Sequence, residues 1–105
     1  MTSVKFFGNG NNLSGFSVKG HSTESCEDEA GRLVCSAVSS AVYMAANTIT
    51  EIIGDKAEIE INDALMVLKT ENPKKETVTV LKGLKLHLEQ LACRYSSSIK
   101  VYSEV

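Results

Sequence analysis

The sequence predicts an α+β domain of order ββαββαβ, an antiparallel-rich sheet with two helices packed on it. Three observations carry that prediction. Two pairs of short β-rich runs each flank a turn-forming cluster, at residues 3–19 and 57–68. Two longer segments repeat apolar residues at helical spacing, at 33–53 and 73–95. A last β-rich run follows the second helix at 99–102. Strands gathered in hairpins, with helices between them, belong to α+β architecture rather than to alternating βαβ units.

Each element has a local reason. Residues 3–7 are short and β-rich, and Gly8, Asn9, Gly10, Asn11 and Asn12 form a turn cluster. Residues 13–19 then alternate through Leu13, Phe16 and Val18, which completes a hairpin. Residues 22–31 are polar, acidic and aperiodic, and read as a loop. From Leu33 onward Val34, Ala37, Val38, Ala41, Val42, Ala45, Ile49, Ile52 and Ile53 share one helical face, opposite Ser36, Ser39, Ser40, Tyr43, Asn47 and Glu51. Gly54 stops that helix. Residues 57–61 and 64–68 form a second hairpin around Asn62 and Asp63. Pro73 suits the first turn of the second helix, whose inward residues are Val78, Leu81, Leu84, Leu88 and Leu91.

Composition narrows the function classes. A chain of 105 residues without repeats or linkers is one domain, 1–105. A net charge of −2 argues against non-specific nucleic-acid binding, which needs a basic footprint, so no direct nucleic-acid partner is expected. No apolar run reads as long enough to span a membrane, and residues 4–7 are too short for a signal peptide, so no membrane partner is expected. Three cysteines, an odd number, read as reduced thiols in a cytoplasmic protein.

The segment between the second strand and the first helix carries the chemistry. Gly20-His21 precedes it, and Cys35 stands in what reads as the first turn of the helix. A histidine at a strand end and a cysteine at a helix start can meet across such a loop. A helix N-terminus favours the thiolate, and imidazole can take the thiol proton and return it to a leaving amine. Exposed N–H groups there can stabilise an oxyanion. The bland alternative stands beside this: a cysteine at a helix start is more often a small buried hydrophobe, and a histidine after glycine is often a turn residue.

Gly20-His21-Ser22, a polar loop, and then Leu33-Val34-Cys35-Ser36-Ala37-Val38-Ser39 resemble the Prp family of ribosomal-processing cysteine proteases. The order of elements, Asn47 on the first helix and the Leu-rich second helix fit the same family. The resemblance implies a cysteine endopeptidase that removes the N-terminal extension of a large-subunit ribosomal protein, the twenty-seventh. It implies Cys35 as nucleophile, His21 as general base and acid, and a homodimer. There are departures. The His-to-Cys loop is long, and Arg32 stands three residues before Cys35, where some members carry Asp. Cys26 is outside the pattern.

Other residues receive lesser roles. Ser36 and Ser39, one and four residues after Cys35, line the cleft or only cap and solubilise the helix. Glu27, Asp28 and Glu29 can face basic residues after the scissile bond, with residues 22–32 as a mobile lid. Cys26, His21 and Cys35 lack the close paired spacing of a zinc site, so neither metal nor other cofactor is expected. Cys26 and Cys35 also lack the Cys-x-x-Cys spacing of a redox protein. Cys93 reads as core, and His87, Lys74, Lys75, Lys82 and Lys85 as a solvated face. The alternative function is a non-catalytic ribosome- or protein-binding module in which Cys35 is structural.

Overall fold

The computed structural model describes residues 1–8, 12–20, 29–62 and 65–104. Strands β1 (Thr2–Phe7), β2 (Gly15–Lys19), β3 (Glu58–Asn62), β4 (Leu65–Lys69) and β5 (Ile99–Glu104) form one sheet of order β3-β4-β2-β1-β5. Helices α1 (Glu29–Asn47) and α2 (Lys75–Arg94) complete the ββαββαβ order. Three of the four strand pairs are antiparallel. The fourth, β1 with β5, is parallel, because α2 carries the chain across the sheet to its far edge.

Alternation along the strands decides which face is covered. Thr2, Val4 and Phe6 on β1 are buried, while Ser3, Lys5 and Phe7 are half-buried on the other face. Phe6 and Phe16 lie directly opposite in the β1–β2 ladder, their rings 6.3 Å apart and tilted by 51°. Fully burying such a side chain contributes roughly 2–3 kcal/mol. Met66, Leu68, Leu81, Leu88 and Ile99 complete the core with the apolar stripe of α1. On the open face Lys5 and Lys69 lie over the ring of Phe7, and Lys100 over that of Tyr102.

Besides α2 starting at Lys75, which leaves Pro73 before the helix rather than in its first turn, the helices depart from the sequence reading in four places. First, α1 starts at Glu29 rather than Leu33, so residues 29–32 are helical. Glu29 suits the positive end of the helix dipole, and Gly31 inside the helix does not outweigh the apolar stripe that follows. Second, residues Thr48–Ile53 form a π-helical turn. The hydroxyls of Thr48 and Thr50 donate to the carbonyls of Met44 and Ala46, competing with the main-chain ladder. The wider turn keeps Ile49 buried but rotates Ile52 outward to 80 % exposure. Gly54 ends it at φ +76°, a left-handed cap that glycine takes without strain. Third, Thr77 is buried on α2 where Val78 was expected. Fourth, Cys93 is exposed, because the inward stripe through Leu81, Leu84 and Leu88 passes to its other side. His87 is exposed, as read.

The helical run Glu29–Ile53 also corrects the hydropathy reading. It is 25 residues long and apolar enough, by length and composition, to cross a membrane. Here its buried residues, among them Val34, Val38, Val42 and Ala45, join the core, which is what the central helix of a folded domain also does.

Asp55 explains the inward turn of Thr77. Its carboxylate accepts from the Lys74 amide at 2.8 Å, the Thr77 hydroxyl at 2.7 Å and the Lys56 amide at 3.0 Å. A residue some twenty positions earlier thus satisfies the N-terminus of α2, whose own N-cap, Lys74, supplies no side-chain bond. The Lys74 amide, followed by the Thr77 hydroxyl, holds the Asp55 carboxyl below its ordinary pKa. A depressed carboxylate contributes stability that is full above its unfolded pKa and fades as pH falls through the lower, folded one. Asp55→Asn is therefore expected to lower Tm at neutral pH and to leave it nearly unchanged at about pH 2, read by circular dichroism melts at both values. An equal loss at both would remove the carboxylate's charge from the account.

Candidate active site

The site is built where β1, β2 and α1 meet. The β1–β2 ladder ends where Ser3 pairs with Lys19, and the chain continues into Gly20 beside Met1. Gly20 has φ +76°, and a Cβ there would sit 2.7 Å from the Met1 carbonyl oxygen. Only glycine fits both the conformation and the space. From α1, the sulfur of Cys35 reaches the same strand and lies 3.8 Å from Oγ1 of Thr2. Thr2 and Cys35 are both buried, at 2 % and 4 % exposure. The residue before His21 and the sulfur of Cys35 therefore lie against adjacent residues, Met1 and Thr2.

His21, Cys26, Glu27 and Asp28 lie outside the described residues, as does most of the segment read as a lid. Its end, residues 29–32, is helix, with Glu29 and Arg32 exposed on α1. Ser36 is exposed, whereas Ser39, one helical turn beyond Cys35, is half-buried. Among the described residues no cluster of three metal-ligating side chains exists.

The earlier start of α1 changes the chemistry expected of Cys35. Counted from Glu29, Cys35 is the seventh residue of the helix, in its second turn. The dipole's effect falls off within the first turn, and from the fifth residue onward helical N–H groups point at carbonyls four residues back. Neither the helix dipole nor oxyanion donors from a helix start are therefore available at Cys35 itself. Thr2 was not singled out from the sequence, though a signal was present. Alternation with Val4 and Phe6 puts a hydroxyl on the core face of β1 at its first residue.

Cys35 is disulfide-bonded in this structure. A half-cystine carries no S–H, so in this state the Thr2 hydroxyl is the donor toward sulfur. Nucleophilic chemistry at Cys35 thus requires prior reduction to the thiol. Away from this site, at the Phe7 and Lys69 end of the sheet, lies a groove of about 790 Å³ lined by Gly54, Asp55, Glu58, Lys69, Thr70 and Lys74. It contains neither cysteine nor histidine, and it is remote from Cys35.

Comparison with solved structures places this arrangement among known folds. A crystal structure of the ribosomal processing protease Prp from S. aureus with a substrate peptide superposes at a TM-score of 0.88, with 15 % identity, covering 99 % of this chain and 100 % of that one. The same S. aureus protease with a covalently linked product peptide gives 0.82 at 17 % identity, again over 99 % and 100 %. A protein from Streptococcus mutans gives 0.86 at 14 % identity, over 98 % and 96 %. At such identities the likeness is one of fold. No curated protein matches the sequence significantly. The family model described as cysteine protease Prp, however, matches residues 1–100, nearly the whole chain and both halves of the site just described, and the protein therefore belongs to the Prp family of cysteine proteases.

Proposed function

We propose that the protein is a cysteine endopeptidase that removes the N-terminal extension of a large-subunit ribosomal protein, the twenty-seventh, with Cys35 as nucleophile and His21 as general base and acid. The observation that supports this reading is that Gly20, which immediately precedes His21, packs against Met1 while the Cys35 sulfur meets the hydroxyl of the next residue, Thr2, in a chain matched by the protease family over residues 1–100. In the proposed reaction His21 takes the proton from Cys35 as sulfur attacks the scissile carbonyl. His21 then returns it to the leaving amine, and water releases the acyl group from sulfur. The cytoplasm suits this reading, because its reducing poise keeps Cys35 as a thiol. No direct nucleic-acid or membrane partner and no cofactor enter the scheme. Ser39, on the same side of α1 as Cys35, is proposed to line the peptide cleft with Ser36, and Glu27 and Asp28 to meet the basic residues that follow the scissile bond.

The test is incubation of the reduced protein with the extended ribosomal protein, followed by mass spectrometry of the products. A single cut that removes the extension is expected. The rival reading, a binding module with a structural Cys35, draws on the burial of Cys35 and its disulfide. Intact substrate after incubation with fully reduced protein would favour that rival.

A homodimer is proposed with the same function, and strand β3 supports it. Among the described residues β3 pairs with β4 only, and all five of its residues are exposed. Ile59 and Ile61 stand opposite the buried Leu68 and Met66, on the helix-covered face, yet are 40 % and 53 % exposed. An exposed apolar edge of this kind is a natural seat for a second copy. Sedimentation is expected to give twice the chain mass, and Ile59→Glu combined with Ile61→Glu to give a monomer. A doubly substituted protein that still sediments as a dimer would move the interface elsewhere.

A further inference from the structure

We infer that Thr2 is a positioning residue for the nucleophile: its hydroxyl holds the Cys35 sulfur and, once the disulfide is reduced, donates a hydrogen bond to the thiolate. The inference rests on the proposed role of Cys35, but its test does not need proteolysis. Buried polar side chains are few among the described residues, namely Thr2, Ser17 and Thr77. Each buried hydroxyl calls for a partner. Thr77 has one in Asp55. Ser17 is on the opposite face of the sheet, in register with Lys5. Thr2 alone faces the core from the end of β1, and its hydroxyl meets the Cys35 sulfur.

The backbone fixes Thr2 from both sides. Its amide donates to the Ser98 carbonyl at 2.9 Å, and the next residue pairs with Lys19. The hydroxyl is thus presented by a strand interior to the sheet, while the sulfur is presented by the second turn of a helix. Both are rigid elements, the setting in which a contact is held rather than sampled.

Charged groups on the neighbouring elements include the amino group of Met1, next to Thr2, the exposed Lys19 on β2 and the half-buried Lys85 on α2. Glu29 and Arg32 on α1, His87, Glu89 and Arg94 on α2, and Lys100 on β5 are exposed. Lys5 is on the other face of β1. A helix start is not available to Cys35. The hydroxyl of Thr2 is in contact with the sulfur and so is placed to favour S⁻ over S–H. A hydroxyl can donate to a thiolate but gains less from a neutral thiol, so its presence lowers the pH at which sulfur ionises.

The test compares the pH dependence of Cys35 alkylation by iodoacetamide in fully reduced protein, with labelled peptides separated by mass spectrometry and Cys93 as internal reference. Thr2→Val keeps the shape and β preference of the side chain and removes its donor. It is expected to move the Cys35 midpoint upward by about one pH unit and to slow alkylation at neutral pH roughly tenfold. Thr2→Ser, which restores the donor, should return the midpoint toward the wild type. The Cys93 profile should stay unchanged in both. In the cleavage assay Thr2→Val should move the acid limb of kcat/KM upward by the same interval. A Cys35 profile in Thr2→Val that superimposes on the wild type overturns the inference, as does a Thr2→Ser shift as large as that of Thr2→Val. Loss of cleavage without any change in alkylation would count against it too. Absence of cleavage in the wild type would sink the protease reading while leaving the alkylation comparison to decide the role of Thr2.

Discussion

Cys35→Ala is expected to abolish cleavage of the extended ribosomal protein to below detection, with the far-ultraviolet spectrum unchanged. The residual rate should fall to that of a site without a nucleophile. The structure refines how this must be measured. Cys35 is 4 % exposed, so the substitution empties a small buried volume and costs on the order of 1 kcal/mol. It also removes a disulfide half. Both proteins must therefore be compared under reducing conditions, where the wild type has no cross-link to lose. Cys35→Ser provides a second control of similar shape. Cleavage by the alanine variant at the wild-type rate would take Cys35 out of the mechanism. Failure of the wild type to cleave without reductant, with recovery after its addition, would identify the disulfide as the resting form in the assay.

His21→Ala is expected to lower kcat by a factor on the order of 10² or more, the usual loss with a positioned general base. The second readout is alkylation. Removing a cation that pairs with the thiolate disfavours the ionised form, so the Cys35 profile should move to higher pH in the variant. KM should change less than kcat, because imidazole acts on the reacting bond rather than along the peptide. An unchanged kcat together with an unchanged alkylation profile would separate the two residues. His21 follows Gly20, which lies against Met1 in a conformation that only glycine takes freely.

Much of the fold was legible because each strand and helix carries its own period. Val4 and Phe6 alternate with Ser3 and Lys5, and Val34, Val38, Val42 and Ala45 repeat at helical spacing. What escaped were effects that no single segment encodes. Asp55 caps a helix that begins twenty residues later, and through that contact Thr77 rather than Val78 turns inward. Two threonines widen the helix end and expel Ile52, although a regular helix through the same residues would bury it. The start of α1 was misplaced because Glu29, Ala30, Gly31 and Arg32 show no apolar period. That displacement mattered most for the site. Cys35 was legible as a candidate from its sequence context, but its surroundings were not. Thr2 lies 33 residues away, and only the sheet brings it there.

The parallel pairing of β5 with β1 has a consequence in time. Residue Thr2 receives its fixed position from the Ser98 carbonyl and from the Ile99 register, nearly the full length of the chain away. Contacts this distant in sequence form late, after the loop-closure entropy has been met, and they slow folding. During synthesis the first hairpin and α1 emerge long before β5 exists, so sulfur and hydroxyl have no settled geometry in the nascent polypeptide. A protease assembled in this way reaches competence only once β5 docks beside β1.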